Sequence, residues 1–300
     1  MRVAARLLLA ASLAAALPAS ASAQARAEDP TAEQPVFRTS VEMVAMAAVV
    51  RNKQGRVVPT LSRDDFEVLD AGGRRPIVDL RTEIGAPASV ALLVDSSGSM
   101  KVGHALDSAR LVASEVLDRL DPTRDEAALL TFDSRLVELM PFTRDYDPVR
   151  MRLEDLDAYG TTSLYDAIAQ AARTVAPNTK RRRAIVVLTD GADNSSAMTP
   201  AEVSAVASSI DVPVYILSVG AARTEGPLSD LARWTGGDFF LANTAAQASA
   251  GIRQLIDELR HQYVIAFEPS IASGWRHVEI RTRRPGLTVR ARSWYLAGNY

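Results

Sequence analysis

The sequence predicts an α/β fold with a doubly wound, mostly parallel sheet, accompanied by a small all-β module. Three observations support this prediction. Between residues 85 and 260, continuous apolar strands alternate with amphipathic helices, which is typical of a parallel sheet covered on both faces. Residues 35–84 and 261–300 instead contain short strands broken by turns. The chain has 300 residues, of which 47% are hydrophobic and 23% charged, and this composition is ordinary for a globular protein with two compact parts.

The first 23 residues have the pattern of an export signal. Arg2 and Arg6 precede an apolar run over residues 7–17, and small residues follow at 21–23. A retained membrane anchor is the less favoured alternative, because the run is shorter than the ~20 residues that span a bilayer. We therefore expect an exported protein, periplasmic or secreted, with no membrane span after signal removal. Residues 24–34 are small and polar, and we expect them to form a flexible tether.

Composition excludes several classes of function. The sequence contains no cysteine, so disulfides, thiolate metal ligands and attachment through a cysteine are all excluded. Basic and acidic residues number 34 and 36, so the whole molecule projects no strong field towards nucleic acid or anionic lipid. We expect no nucleic-acid partner, and we expect a local site to select the partner.

The two flanking segments are each too short to be stable alone. Residues 35–84 predict strands at VEMVAMAAVV, VVPTL, DFEVLD and PIVDLRT, and residues 261–300 predict strands at YVIAFEP, WRHVEIRTRR and LTVRARSWYL. Chains of this length bury little surface relative to their entropy cost. We hypothesise that the two segments pair into one β-sandwich-like module that is split by the α/β domain. The alternative is two separate β extensions packed on that domain.

The α/β domain, residues 85–260, begins with the buried strand SVALLVD. Val102, Leu106, Ala109, Val112, Val116 and Leu120 then recur at helical spacing. Further strands are predicted at AALLTF, LVELM, AIVVLTD, VPVYILSV and DFFLA, with helices near residues 146–156, 165–175, 200–210, 227–235 and 246–260.

Three loops of this domain carry hydroxyl and carboxyl groups. Asp95, Ser97 and Ser99 follow the first strand, Thr162 lies in a loop before a helix, and Asp190 ends a later strand. Open α/β sheets bind ligands at the carboxyl ends of their strands, so we expect these side chains to lie together. The candidate ligands are oxygen atoms only, which suits Mg²⁺, with Mn²⁺ or Ca²⁺ as alternatives, rather than zinc or copper.

The same pieces resemble the metal-ion-dependent adhesion site of von Willebrand factor A domains. The resemblance rests on Asp95-x-Ser97-x-Ser99, on Asp190-Gly191 and on the run Gly-Thr-Thr-Ser-Leu-Tyr-Asp-Ala at 160–167, where Thr161 replaces the usual second glycine. It implies that Ser97 and Ser99 bind the cation directly, that Asp95 and Asp190 act mainly through water, and that Thr162 does either. The departure at position 161 leaves the choice between Thr161 and Thr162 open.

The resemblance implies a binding module and not an enzyme. It implies capture of an Asp or Glu carboxylate of a protein partner, which would complete the shell of the cation. The flanking segments, with Arg284-Pro285-Gly286 among their motifs, resemble exported bacterial proteins of the same family. Two alternatives remain, a metal-dependent hydrolase and a structural envelope protein in which the metal only stabilises the domain. The sequence leaves the oligomeric state open.

Some polar residues are set aside as structural. Asp193 and Asn194 could add metal oxygens, but capping of the helix that follows Thr199 explains them equally well. Arginines 181–183 are interpreted as a solvated helix end, although they could steer an acidic partner towards the rim of the site. Four further arginines alternate along C-terminal strands and are expected on a solvent face: Arg281, Arg283, Arg290 and Arg292.

Overall fold

The strands and helices are those of a computed structural model, which describes residues 43–177, 181–209, 211–220, 226–270 and 273–298. The predicted export signal, residues 1–23, and the predicted tether, residues 24–34, lie outside the described residues. The described strands are β1 (Val44–Asn52), β2 (Phe66–Asp70), β3 (Gly73–Arg75), β4 (Ile77–Ile84), β5 (Ala88–Asp95), β6 (Glu126–Phe132), β7 (Leu136–Thr143), β8 (Arg182–Thr189), β9 (Val214–Ser218), β10 (Phe239–Leu241), β11 (His261–Phe267), β12 (Gly274–Thr282), β13 (Leu287–Ala291) and β14 (Trp294–Ala297).

Six α-helices accompany these strands in the described part of the chain. They are α1 (Ala105–Arg119), α2 (Asp147–Glu154), α3 (Leu164–Val175), α4 (Pro200–Ser209), α5 (Gly226–Thr235) and α6 (Ala245–Arg260). None of the helices in the described ranges is long and apolar enough to cross a membrane.

The central sheet has the order β10-β9-β8-β5-β6-β7 and is parallel except for β7. All eight residues of β5 are buried, as a strand covered on both faces requires. Val90, Leu92 and Val94 pack in the core beneath α1, α2 and α6, whereas Ala91 and Leu93 pack beneath α3, α4 and α5. The predicted doubly wound, mostly parallel sheet is therefore confirmed.

The first helix starts later than its apolar spacing predicts. A 3₁₀ segment spans Gly98–His104, and Gly103 and His104 have φ angles of 60° and 59°. These left-handed residues end the 3₁₀ segment, so α1 begins at Ala105. The prediction that Val102 lies on the buried face of this helix is wrong, because Val102 is 75% exposed.

The flanking segments form two four-stranded antiparallel sheets, with orders β13-β1-β11-β4 and β14-β12-β2-β3. Strands from residues 44–84 pair with strands from residues 261–297 in both sheets. The two sheets share one core, in which Phe66 contacts Tyr263 and Phe267 contacts Tyr295, with ring centroids 5.1 and 5.8 Å apart. We call these strands the β module.

One predicted strand of this module does not form. In the stretch VVPTL, Val57 makes a single bridge to Arg51 and no ladder follows. Pro59 has no N–H group to continue such a ladder, and this explains the difference. The short strand β3, which follows a turn at Ala71 and Gly72, was not predicted from the sequence.

A buried charge cluster joins the β module to the α/β domain. Arg51 of β1 lies 2.8 Å from Asp238 and 3.1 Å from Glu258 of α6, and Arg290 of β13 lies 2.7 Å from Asp238. Burial raises the pKa of Glu258 to about 7, the Arg51 charge opposes that rise, and the Asp238 charge adds to it. We call Arg51, Asp238, Glu258 and Arg290 the buried charge cluster.

Candidate metal centre

The loops after β5 and before α3 are hydrogen-bonded to each other at one edge of the central sheet. The amide of Gly98 donates to the carbonyl of Gly160 over 3.1 Å, and the amide of Tyr159 donates to the carbonyl of Ser96 over 2.8 Å. A Cβ atom at position 98 would lie 3.2 Å from the Gly160 oxygen, so glycine permits this close approach. The backbone therefore holds the two loops in register.

Asp95 lies at the centre of this edge and is fully buried. Its Oδ1 accepts the Ser97 amide at 2.9 Å, and its Oδ2 accepts the Thr189 hydroxyl at 2.6 Å. Burial raises the pKa of Asp95 to about 6, and the charge of Asp190 raises it further, while the bonds from Thr189 and Ser97 oppose the rise. The carboxylate of Asp190 is thus close enough to repel that of Asp95.

Ser97 and Ser99 direct their hydroxyls to a common point. Their Oγ atoms lie 3.0 Å apart, with Ser97 fully buried and Ser99 half-buried. Alternate residues of the turning loop therefore present oxygens on one side.

The loop that carries Thr162 is held by the chain beyond Asp190. The Thr162 amide donates to Oδ1 of Asn194 at 3.0 Å, and the Leu164 amide donates to Oδ1 of Asp193 at 2.9 Å. Thr162 is buried and Thr161 is exposed. The loop and the start of α3 are therefore bound to the segment after β8.

Asp193 and Asn194 do not cap α4, so that interpretation is wrong. Thr199 and Glu202 form the cap instead, because the Thr199 amide donates to Oε2 of Glu202 at 2.8 Å and the Thr199 hydroxyl accepts the Glu202 amide at 3.4 Å. The side chains of Asp193 and Asn194 are hydrogen-bonded to the loop before α3, where they position Thr162.

The end of β8 contributes Asp190 and a residue that the sequence analysis missed. Asp190 is half-buried, and its Oδ1 accepts the Ala192 amide at 3.1 Å. Thr189 is fully buried, and besides donating to Asp95 it accepts the Gly191 amide at 3.0 Å. A hydroxyl as the last residue of a buried apolar strand was the signal that could have identified it.

The charge of this edge is unbalanced. Among the described residues, no Lys, Arg or His forms an ion pair with Asp95 or Asp190. No group of three or more His, Cys, Asp or Glu side chains suited to a metal occurs in the described ranges, so a cation here would depend on hydroxyl ligands as well. Two carboxylates and three hydroxyls form a donor set that fits a hard divalent cation.

The rim of the centre exposes apolar side chains. Val102 and Tyr159 are 75% and 63% exposed, and they come from the same two loops as the oxygen ligands.

Residues 90–192 match the family model of the von Willebrand factor type A domain. The chain contains a von Willebrand factor type A domain. The matched residues include Asp95, the Thr162 loop and Asp190, so the candidate metal centre lies within the matched part of the domain. No curated protein matches the sequence.

Solved structures of a von Willebrand factor type A protein and of a mussel byssus protein share the fold. The von Willebrand factor type A protein from Catenulispora acidiphila is 12% identical, with 74% of each chain covered and a TM-score of 0.50. Proximal thread matrix protein 1 from the mussel byssus, in a form with a zinc-occupied MIDAS motif, is 18% identical with a TM-score of 0.51. That match covers 62% of this chain and 50% of the mussel chain, so the similarity spans half of the mussel protein. Protein BatB from Bacteroides thetaiotaomicron is 22% identical, with 57% of this chain and 98% of that chain covered and a TM-score of 0.49.

Proposed function

We propose that the von Willebrand factor type A domain is a cation-dependent binding module that captures a carboxylate of a protein partner. The observation that supports this most is the buried Asp95, which lies near Asp190 and beside clustered hydroxyls and has no ion pair with a cationic side chain of the described residues. A buried carboxylate without a counter-charge is costly, and a bound cation offsets that cost.

The residues that would hold the cation are those of the three loops. Ser97, Ser99 and Thr162 supply hydroxyl oxygens, and Asp95 and Asp190 supply charge through water. Both carboxylate oxygens of Asp95 already accept hydrogen bonds, which suits an indirect role for this residue. A bound Mg²⁺ would supply a Lewis-acidic position at which a partner carboxylate replaces water. Mn²⁺ and Ca²⁺ offer the same oxygen chemistry, and the zinc in the mussel protein supports metal binding at this type of motif.

Binding is favoured over catalysis at this centre. Both oxygens of the buried Asp95 carboxylate are engaged in hydrogen bonds, so Asp95 is not free to act as a general base next to the metal. The exposed rim side chains Val102 and Tyr159 offer contact area to a partner. We propose a non-enzymatic role, in the periplasm or outside the cell, as the export pattern of residues 1–23 suggests.

Thermal unfolding tests the cation site directly. The wild-type chain is compared with Asp95→Ala and Ser97→Ala in Mg²⁺, in Mn²⁺ and in chelator. A cation that binds only the folded state raises the free energy of unfolding by about 2.7 kcal/mol at a hundred times its Kd. We expect a rise in unfolding temperature for the wild type and none for the two variants. A wild type that does not respond to either cation would contradict the proposed site.

Carboxylate capture has its own readout. Mn²⁺ bound to the domain enhances the relaxation of water protons, and acetate that displaces a bound water should lower this enhancement. We expect the decrease for acetate and none for acetamide, which has the same shape without the charge. If acetate leaves the enhancement unchanged while Mn²⁺ still raises the unfolding temperature, the metal only stabilises the domain. If Mn²⁺ binding instead accelerates hydrolysis of a phosphate ester, the hydrolase alternative is favoured.

A further inference from the structure

A polar cavity lies at the opposite end of the central sheet from the metal centre. It has a volume of about 300 Å³ and is bounded by the starts of β8 and β9 and by strands of the β module. Five of the residues that line it are arginines: Arg181, Arg182, Arg183, Arg290 and Arg292. We call it the arginine cavity.

The burial of these arginines contradicts what the sequence predicts. Arginines 181–183 are not a solvated helix end, because 182 and 183 begin strand β8. They are also not near the metal centre, because that centre lies at the other end of β8. The side chains of Arg290 and Arg292 are 22% and 11% exposed and do not lie on a solvent face. A guanidinium group loses hydration when it is buried, so each of these charges needs a counter-charge.

The wall provides fewer carboxylates than guanidinium groups. Among the described residues, Glu83 and Asp211 are the only acidic ones that line it. Arg182 pairs with Glu83, and the Nε atom of Arg292 lies 3.3 Å from Asp211. The partners of Arg181 and Arg290 are Glu126 and Asp238, which lie outside the wall.

Arg183 is the least compensated of the five. It donates to the carbonyls of Ala176 at 2.7 Å and Asp211 at 3.4 Å, and among the described residues it forms no ion pair with a carboxylate. Burial lowers the pKa of Arg183, the Asp211 charge raises it, and the nearby charge of Arg292 lowers it. The charge of Asp211 therefore acts on both Arg183 and Arg292, but its carboxylate is paired with Arg292.

Two of these arginines also have a buried donor atom without an acceptor. The Nε atoms of Arg290 and Arg292 are buried without a hydrogen bond in the described part of the chain. For Arg292 this agrees with the 3.3 Å distance to Asp211, since the contact is close in distance but lacks hydrogen-bonding geometry. Both Nε atoms are inaccessible to solvent, so they add to the cost of burying these arginines and are not donors that face the cavity.

We propose that the arginine cavity binds a phosphate-bearing anion such as pyrophosphate or a phosphate monoester. A guanidinium group can donate two parallel hydrogen bonds to two phosphate oxygens. A tetrahedral phosphate can accept such pairs from several arginines that approach from different elements. The volume lies at the lower end of the range for small-ligand sites, which are about 300–1,000 Å³. Because the β module and the α/β domain both line the cavity, the anion would also stabilise their junction.

Calorimetric titration of the full chain tests this proposal. The probes are inorganic pyrophosphate and glycerol phosphate, in the presence of a chelator and at ionic strength matched with NaCl. We expect saturable binding of at least one probe, and at least tenfold weaker binding by Arg183→Gln and by Arg292→Gln. Arg183→Lys should bind with intermediate affinity because lysine retains the charge but not the fork. Comparison of the two probes separates a free inorganic anion from an organic monoester.

Two further variants control the interpretation. Arg152→Gln removes an exposed arginine of α2 and should bind like the wild type. Asp95→Ala should also bind like the wild type, which separates this cavity from the proposed metal function. Should Arg183→Gln fail to fold, Arg292→Gln and Arg183→Lys decide the result. Absence of binding by the wild type, or undiminished binding by the cavity variants, would overturn the proposal.

Discussion

The two ends of the central sheet differ in how their buried charges are compensated. At the carboxyl ends of β5 and β8, Asp95 and Asp190 lie beside hydroxyls and form no ion pair with a described cationic side chain. At the amino ends and along the β module, buried arginines pair with carboxylates, as in the buried charge cluster. At the carboxyl ends of the strands, an added cation is needed to compensate the carboxylates. At the amino ends, the protein itself supplies most of the counter-charges. Cation dependence should therefore be confined to one end of the domain.

The largest effect is expected from breaking the buried charge cluster. Arg51→Ala leaves Glu258, whose side chain is fully buried, without its cation. Removal of one partner of a buried ion pair costs about 3–5 kcal/mol, so the free energy of unfolding in urea should fall by that amount at pH 8, where Glu258 is mostly ionised. The loss should be the same in Mg²⁺ and in chelator.

A matched exposed pair provides the control for this prediction. Arg81 is 64% exposed and lies 3.1 Å from Asp79. Arg81→Ala should cost less than about 1 kcal/mol, because exposed ion pairs are solvated and screened. Equal losses in the two variants would show that the cluster is not the stabilising feature of the junction.

The second effect separates the metal centre from the loop that supports it. Asp190→Asn removes one of the two proposed charges, and we expect the Mg²⁺ affinity, measured from the Mg²⁺ dependence of unfolding temperature, to fall at least tenfold. Asp193→Asn retains an Oδ1 acceptor for the Leu164 amide, so it should leave the Mg²⁺ affinity within about threefold of the wild type. If both variants lost the cation response equally, Asp193 would belong to the metal centre.

A third effect is a pH dependence of the free energy of unfolding that arises at the buried charge cluster. The folded state holds the Glu258 proton with a pKa of about 7, above the ordinary value of 4.5. The contribution of protonated Glu258 to the free energy of unfolding is therefore fully present below pH 4.5 and is lost as pH rises through about 7. Glu258→Gln should flatten the decline in free energy of unfolding between pH 5 and pH 8.

The comparison uses the difference between wild type and variant, because other groups titrate in both proteins. Asp95, whose pKa is raised to about 6, is one of them. A pH dependence that Glu258→Gln leaves unchanged would contradict the assignment to this cluster.

The smallest effect concerns the loop before α3. Gly160 has a φ of 84°, and a Cβ there would lie 3.1 Å from Oδ2 of Asp133. Gly160→Ala should lower the free energy of unfolding by about 1–2 kcal/mol and weaken Mg²⁺ binding, because the Thr162 loop must shift.

Gly286→Ala is the matched control for backbone strain. Gly286 has a φ of 76°, and its nearest contact would be the flexible Lys53 side chain at 3.2 Å. We expect a similar loss of stability with unchanged Mg²⁺ affinity. An unchanged affinity in Gly160→Ala as well would mean that the loop tolerates the shift without moving the ligands.

Much of the α/β domain could be predicted from sequence periodicity. The strands of the central sheet are continuous apolar runs such as Ala88–Asp95, and their helices carry apolar residues at helical spacing. Local pattern was misleading where backbone geometry intervened. Val102 continues the apolar spacing of α1, but the left-handed residues at 103 and 104 place it on the surface. In the stretch VVPTL, the β-branched residues indicate a strand, but proline cannot extend the ladder.

The sequence by itself determined the α/β class, the order of strands and helices, and the chemical type of the candidate metal ligands. These depend on local periodicity and on which residues end a strand, and both can be read along the chain. Only the tertiary structure decided that Thr189 supports Asp95, that Asp193 and Asn194 hold the Thr162 loop, and that Arg183 and Arg292 face one cavity. Those relations join residues far apart in sequence, and the free energy of a buried charge depends on which distant groups surround it after folding.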